Sequence, residues 1–290
     1  MEDIPAIAGP RRHALAIPND PVLQDHRFLG QAVLPAVYAL EHLARTVGRA
    51  FPDAAVTFSE AIQFDKFLAL PMVEIADVKA FAEIAAHRDG GIEAVLLTRH
   101  VAAKSGMTRM KAHVRCRFGA ALDGGDALPP VPAGREAPAE TYALPVDRLY
   151  AEMVPFGPAF QNVVSPVLLG PDGARAVVSG GATAGDDRLV QLGSPFPLDA
   201  AFHAACAWSQ RFHGVVAFPV AMEQRWIRHR TQAGKHYHAD IRFRGEAGGR
   251  LLFDLWLHDR EGRLCEYIRG LAMRDVSGGR LQPPGWIRCC

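Results

Sequence analysis

Residues 25–35 have the sequence DHRFLGQAVLP and lead directly into an apolar run with helical spacing. In that run apolar residues recur every three or four positions, at Val37, Leu40, Leu43, Ala44 and Val47. This spacing predicts a helix over residues 35–50, with Pro35 at its first position, where a proline is tolerated. His26 precedes the helix in a turn, so we expect its ring at the edge of an apolar surface. A lone histidine in such a turn is more often a solvated residue, so its role depends on the rest of the chain.

A second apolar helix is predicted over residues 198–212, in the other half of the sequence. It opens with LDAAFH at residues 198–203, which places Asp199 and His203 four positions apart on one helical face. An acidic residue near a helix start commonly caps backbone amides and interacts favourably with the helix dipole. The neighbours of Asp199 are apolar, however, which favours a buried carboxyl group that can act as a general acid, with His203 as its orienting partner.

The two helices belong to two similar parts of the chain. Residues 122–140 are rich in glycine, proline and alanine, and they predict a linker between a first unit, 1–121, and a second unit, 141–290. In each unit one apolar helix is followed by strand-like runs. Strands are predicted over residues 55–67, 72–85, 91–102 and 107–118, and then over 163–169, 175–180, 215–230, 236–244, 251–259 and 264–275.

This repeated order predicts an α+β protein. One long helix followed by several antiparallel strands is typical of a hotdog fold, in which a curved sheet wraps around a buried helix. Two such units in one chain predict a double hotdog, in which the units pack side by side. His26 of the first unit and Asp199 of the second are then expected to meet across the interface, roughly 4–7 Å apart if one substrate lies between them.

Composition excludes several functional classes. The chain has 290 residues, of which 49% are hydrophobic and 22% are charged, with a net charge of +1. This balance is typical of a protein with a sizeable core and gives no indication of nucleic acid or an anionic membrane as a partner. Residues 1–21 lack the apolar run of a secretion signal, and no later segment reaches the ~20 apolar residues that span a bilayer.

The cysteines and histidines also argue against disulfides and metal. Five cysteines without paired spacing predict reduced thiols in a cytoplasmic protein. His236 and His238 are the nearest approach to a ligand pair, but they lie in an alternating strand pattern with no third ligand nearby. We therefore expect no metal.

A third motif lies between the two predicted helices in the sequence. Residues 156–161, FGPAFQ, form a Gly-Pro turn between aromatic residues, which taken alone predicts only a shaped turn. In this order the three stretches resemble the dehydratase domains of polyketide and polyunsaturated-fatty-acid synthases, over nearly the whole chain. The family's HxxxGxxxxP motif is matched by His26, Gly30 and Pro35, and its DxxxQ/H motif by Asp199 and His203.

The family's GYxYGPxF motif is matched only in its last part. Gly157, Pro158 and Phe160 fit, whereas Val154 and Phe156 stand where the family usually has tyrosines. Ala36 likewise replaces the glycine that often follows the motif's proline. The missing tyrosine hydroxyls remove hydrogen bonds near the acid, which concerns rate and substrate fit more than reaction type.

The resemblance implies elimination of water from a β-hydroxyacyl thioester in polyketide or fatty-acid biosynthesis. His26 is then the base that removes the α-proton, and Asp199 is the acid that protonates the departing hydroxyl. An ordinary histidine, with a pKa of about 6.5, is mostly neutral at cellular pH. Backbone amides near Ala36, or those just before Asp199, are expected to face the thioester oxygen.

The resemblance also implies partners. The substrate arrives on the phosphopantetheine arm of an acyl carrier protein, with no bound cofactor and with other synthase domains or subunits nearby, and a homodimer is expected. Carrier proteins are acidic, so the basic residues Arg225, Arg228 and Arg230 are candidates for a carrier-binding patch. Their simpler interpretation is the solvated basic face of a strand.

Other functions on the same fold stay open. A product-template-type cyclase would also use a histidine and an aspartate, and a pyran-forming dehydratase-cyclase would keep both. A double-bond-shifting relative needs only the base, so Asp199 and Pro35 argue against it. A non-catalytic carrier-binding scaffold is the non-enzymatic alternative. Acyl chain length, hydroxyl stereochemistry, double-bond geometry and membership of a larger synthase are not determined by the sequence.

Overall fold

The computed structural model describes residues 9–71, 77–101, 106–119, 141–182 and 191–288. The described part of the chain has two long helices, α1 (Ala36–Ala50) and α3 (Phe196–Phe212). A short helix, α2 (Val146–Arg148), lies between them in the sequence. The first unit contributes strands β1 (Arg11–Ile17), β2 (Arg27–Phe28), β3 (Gln31–Ala32), β4 (Ala55–Phe64), β5 (Val78–Ala86), β6 (Ile92–Val101) and β7 (Thr108–Gly119). The second contributes β8 (Tyr142–Leu144), β9 (Val167–Gly170), β10 (Gly173–Ser179), β11 (Phe218–Ile227), β12 (His236–Ala247), β13 (Arg250–His258) and β14 (Leu264–Arg274).

Twelve of these strands form one antiparallel sheet, while β2 and β3 form a separate hairpin. The order in the sheet is β1-β5-β6-β7-β4-β11-β14-β13-β12-β10-β9-β8. Strands that precede residue 120 thus form one side, and strands that follow residue 140 form the other. The two sides join where β4 pairs with β11, a junction that we call the seam. The α+β double hotdog is confirmed, and 1–121, 122–140 and 141–290 remain our predicted boundaries, since 120–140 lies outside the described residues.

Helix α3 is buried because nearly every residue on it is apolar or small. Residues from Phe196 to Gln210 are shielded from solvent, which a central helix inside a wrapped sheet requires. Trp208 is its largest buried side chain, and the indole Nε1 donates a 2.7 Å hydrogen bond to the Gly170 carbonyl of β9. The helix is therefore fixed against its own sheet by packing and by one buried polar contact.

A buried carboxylate ties α1 to the other unit. Glu41 is 2% exposed, and its two oxygens accept the backbone N–H groups of Gln191 and Leu192 at 2.7 and 2.8 Å. Burial raises the pKa of Glu41, and these two hydrogen bonds lower it. The contact joins α1 to the segment that leads into α3.

The helices and most strands lie close to their predicted positions, with the following corrections. Pro35 is the N-cap of α1 and not its first helical residue, because its backbone is still extended at ψ 144°. Helix α3 begins two residues earlier than predicted, at Phe196. Strands β1, β2, β3 and β8 are not among the predicted strands, and residues 163–166, predicted as strand, contribute only an isolated bridge from Val163 to Val178.

Other strand ends shift by a few residues. The strand predicted over 55–67 ends at Phe64, and the one predicted over 215–230 is confined to Phe218–Ile227. The strand predicted over 72–85 is observed from Val78, and residues 72–76 lie outside the described part of the chain.

Candidate active site

A tight hairpin positions His26. The residue follows a 3-10 turn (Pro21–Asp25), and the β2–β3 hairpin then reverses the chain through Leu29 and Gly30. Gly30 has φ +82°, a left-handed conformation that favours glycine. The reversal brings Val33 back to His26, where the Val33 N–H donates to the His26 carbonyl at 2.9 Å. Gly30 and Pro35 thus have structural roles. Gly30 allows the chain to turn, and Pro35 precedes the first residue of α1.

A second hydrogen bond to Val33 fixes which ring nitrogen of His26 is basic. Nδ1 lies 3.0 Å from the Val33 carbonyl oxygen. A carbonyl only accepts, so Nδ1 must carry a proton, and in the neutral ring Nε2 keeps a free lone pair. Burial lowers the pKa of His26, against an opposing effect of Asp199. The ring is therefore held as a neutral base.

Asp199 approaches His26 from the other unit. It lies in the first turn of α3 and is 5% exposed. Its Oδ1 is 4.0 Å from Nε2 of His26, too far for a direct hydrogen bond and open to an intervening group. The structure thus brings together the two residues that the sequence analysis assigned to catalysis.

His203 and a tyrosine back the far side of the carboxyl group. Nε2 of His203 is 3.0 Å from Oδ2 of Asp199, although the two groups are not aligned as a hydrogen bond. Nδ1 of the same ring is 3.3 Å from the hydroxyl oxygen of Tyr150. That oxygen accepts the Val163 N–H at 2.8 Å. Tyr150 was not identified from the sequence.

Gly157 and Pro158 shape the wall beside His26. The Gly157 N–H donates to the Asp25 carbonyl at 2.8 Å, and a Cβ on Gly157 would overlap the Asp25 side chain, so any larger residue would have to displace that carboxylate. Pro158 opens a 3-10 turn (Pro158–Phe160). As a result Phe156 stacks on the His26 ring with centroids 4.4 Å apart. These residues hold His26 in place and do not approach as reacting groups.

A cavity of about 680 Å³ opens onto the pair. His26, Asp199 and His203 share its wall with Ala36 at the start of α1. Much of the remaining lining is apolar, and it includes Leu34, Phe64, Leu68, Val154, Phe202 and Val220. The cavity therefore suits an apolar chain that presents one polar group to the histidine and the carboxyl.

A family comparison accounts for this arrangement. Residues 125–283, more than half of the chain, match the model of the polyketide synthase dehydratase N-terminal domain. The chain belongs to the polyketide synthase dehydratase family. The matched range contains Gly157, Pro158, Asp199 and His203 but not His26, whose assignment rests on the hairpin and on the 4.0 Å approach to Asp199.

Solved dehydratase domains have the same fold. The dehydratase domain of RzxB from Pseudomonas fluorescens is 17% identical, with a TM-score of 0.72 over 91% of this chain and 94% of that one. A trans-AT polyketide synthase dehydratase domain from Brevibacillus brevis is 19% identical, with a TM-score of 0.72 over 92% and 94%. The dehydratase domain of PpsC from Mycobacterium tuberculosis, solved in complex with C12:1-CoA, is 20% identical, with a TM-score of 0.67 over 92% and 94%. The sequence matches no curated protein.

The basic patch predicted for dehydratase–carrier recognition needs correction. Arg225 is 4% exposed, and its Nε donates to Glu266 at 2.6 Å, so it cannot face a partner. Arg228 and Arg230 are exposed but follow the end of β11 opposite to Phe218, which lines the cavity. A ten-residue strand spans about 33 Å, so these arginines lie far from the substrate site.

Neither a metal site nor a membrane helix is found in the part of the chain that the structure describes. There, no group of three His, Cys, Asp or Glu side chains is arranged around a common point. His236, one of the two histidines considered above, instead has Nδ1 2.6 Å from an Arg260 guanidinium nitrogen. Among the same residues no helix is long and apolar enough to cross a bilayer.

Proposed function

We propose that this protein eliminates water from a β-hydroxyacyl thioester, with His26 as the base and Asp199 as the acid. The observation that carries the proposal is the 4.0 Å approach of His26 Nε2 to Asp199 Oδ1 inside an apolar cavity. A substrate carbon and its hydroxyl placed there would face a base on one side and a carboxyl on the other.

The proposed reaction balances within these two residues. Nε2 of His26 takes the α-proton, the electron pair forms the new double bond, and the C–O bond to the β-hydroxyl breaks. The proton on Asp199 passes to that hydroxyl, which leaves as water. His26 is then protonated and Asp199 ionised, and transfer of one proton across their short separation restores the starting state.

The start of α1 supports negative charge on the thioester oxygen. Pro35 caps α1 without a side-chain hydrogen bond, and Ala36 lines the cavity beside His26. First-turn amides have no partner inside their own helix, so those at Ala36 can point at an oxyanion. The alternative amides before Asp199 are less suitable, because Pro197 has no N–H and the Asp199 N–H already donates to the Pro195 carbonyl.

We propose that a phosphopantetheine arm enters where the cavity meets solvent. Lys66 and Arg274 are exposed and Lys111 is partly exposed, and all three line the cavity. Asp65 beside them is paired with Arg115 at 2.8 Å, so among these residues the three cations are opposed only by the charge of Asp275, which accepts hydrogen bonds from Ser277 and Gly279. The mouth is therefore net positive and complementary to an acidic carrier protein and to the phosphate of the arm. Other synthase domains or subunits, and a second copy of this chain, remain predicted partners.

The test is mass spectrometry of a panel of β-hydroxyacyl thioesters, first on pantetheine and then on a carrier protein. Loss of one water is expected from at least one chain length. His26→Ala should reduce the rate by about 10²–10⁴-fold, and Asp199→Asn should reduce elimination while substrate still binds. Exchange of the α-proton with solvent should persist slowly in Asp199→Asn and disappear in His26→Ala, since exchange needs only the base.

A matched control is His113→Asn. His113 is buried in the wall of the same cavity, but both of its ring nitrogens are engaged, with Thr98 at 2.7 Å and the Lys66 carbonyl at 3.1 Å. It should retain elimination. Equal exchange in the His26 and Asp199 variants would show that His26 is not the base, and a cyclic ether among the products would identify a dehydratase-cyclase.

A further inference from the structure

Tyr150 lies behind the catalytic pair, outside the motif that the sequence analysis used. It belongs to a short π-helical turn (Leu149–Met153) and is 6% exposed. The positions where the family usually has tyrosines are occupied here by Val154 and Phe156, which cannot donate a hydrogen bond. Tyr150 therefore places a phenol near the acid from a different point of the backbone.

The contacts of the Tyr150 hydroxyl determine which group its O–H donates to. Its oxygen accepts the N–H of Val163 at 2.8 Å. Burial raises the pKa of Tyr150, and the hydrogen bond from the Val163 backbone N–H lowers it. A phenol oxygen has two lone pairs and one O–H. The Val163 N–H already occupies the oxygen as a donor, so the buried O–H is left to be donated, and His203 Nδ1 lies within reach as its acceptor at 3.3 Å.

This donation sets the tautomer of His203. A nitrogen that accepts a hydrogen bond carries no proton, so the proton of the neutral ring is on Nε2. Nε2 faces Oδ2 of Asp199 at 3.0 Å. The pair is imperfectly aligned in this structure, and such catalytic contacts commonly tighten when substrate binds.

On this basis we propose that Tyr150 is a positioning residue that holds His203 in its Nε2–H form, so that the acid proton of Asp199 resides on Oδ1. Oδ2 then faces a donor and has no room for a proton, while Oδ1 faces His26 Nε2 at 4.0 Å and the substrate between them. The inference rests on the proposed dehydration, and it specifies which carboxyl oxygen delivers the proton.

The first test needs no turnover. In protein labelled with ¹⁵N-histidine, protonated and unprotonated ring nitrogens resonate far apart, and the His203 signals are assigned by their loss in His203→Gln. We expect Nε2 protonated and Nδ1 unprotonated in the wild type, and loss of that preference in Tyr150→Phe. A protonated Nδ1 in the wild type would overturn the inference even if the protein is an active dehydratase.

The second test separates positioning from stability. Tyr150→Phe should lower kcat for dehydration about tenfold, the effect of one hydrogen bond acting on the transition state, while α-proton exchange keeps its rate. The matched control is Tyr237→Phe, because Tyr237 is similarly buried, at 4%, and its hydroxyl accepts the Gln232 N–H at 2.7 Å and is not hydrogen-bonded to His203.

The control should lose similar stability and no activity. Unchanged dehydration in Tyr150→Phe, or equal losses of activity in both variants, would refute the role of Tyr150. Absence of dehydration in the wild type, with the expected His203 signals, would instead overturn the proposed function and leave the tautomer assignment standing.

Discussion

Replacing Arg225 by alanine should lower the free energy of unfolding by about 3–5 kcal/mol, the usual effect of removing one partner of a buried ion pair. Its guanidinium is 5% exposed and meets the Glu266 carboxylate, 3% exposed, at 2.6 Å. Without Arg225 the Glu266 charge stays buried and unpaired. The same cation also lowers the pKa of Glu41, so a second buried carboxylate loses support.

The loss is measurable by urea and thermal unfolding. At roughly 2 °C per kcal/mol for a chain of this size, Tm should fall by about 6–10 °C. Arg263→Ala is the surface control, because Arg263 is 66% exposed and solvent screens its 2.7 Å pair with Asp259. A double variant, Arg225→Met with Glu266→Leu, should recover most of the stability, since it buries no unpaired charge.

The result also decides whether Arg225 could act in carrier recognition. The expected outcome is a less stable protein whose affinity for the carrier is unchanged at temperatures where it is folded. A loss below about 1 kcal/mol together with weaker carrier binding would show that Arg225 is a surface residue and that the buried pair does not exist in solution.

Three further predictions concern pH, the cavity mouth and the contact between the units. Since burial lowers the pKa of His26 below its ordinary 6.5, activity should persist below that pH, and kcat/KM profiles should place the acidic limb there. In the same range the unfolded chain binds a proton that the native protein does not. As the pH is lowered through this range, the free energy of unfolding should therefore decrease more steeply in the wild type than in His26→Gln. Lys66→Glu should raise KM about three- to tenfold for carrier-bound substrate but not for a pantetheine thioester, and Arg230→Glu should change neither. Glu41→Gln should lose about 1.5–3 kcal/mol in urea unfolding, because its amide keeps one acceptor for the two backbone N–H groups.

The parts of the fold that followed from the sequence are those with strong periodicity. The spacing of Val37, Leu40 and Leu43 locates α1, and the apolar run after Asp199 locates α3. Strand β1 does not follow from the sequence although His13, Leu15 and Ile17 alternate with exposed residues, because the exposed positions 14 and 16 are alanines and weaken the alternation between apolar and polar residues.

Arg225 was misassigned for a physical reason. Alternation in a strand separates two faces but does not show whether either face is exposed. Strand β11 is central in the sheet, and Arg225, Trp226 and Ile227 are all buried in succession. A central strand can therefore bury a basic residue as well as an apolar one. Arg225 is tolerated there because Glu266 on the neighbouring strand pairs with it.

The site was predicted to the extent that its chemistry lies in short motifs. His26 and Asp199 stood out by spacing and by apolar neighbours, and the fold places them together. Tyr150 did not, since its role depends on the π-helical turn and on a contact with His203, 53 positions away in the sequence. Contacts of that kind arise from tertiary packing and leave no local pattern.

The seam has a consequence for how substrates are chosen. Opening the two units would break the β4–β11 pairing and expose two long strand edges, which readily pair with other chains. The two units therefore cannot separate at the seam and close around the acyl group. We therefore expect an acyl chain to enter through the cavity mouth beside Lys66 and Arg274, and selectivity should depend more on chain length than on chain width.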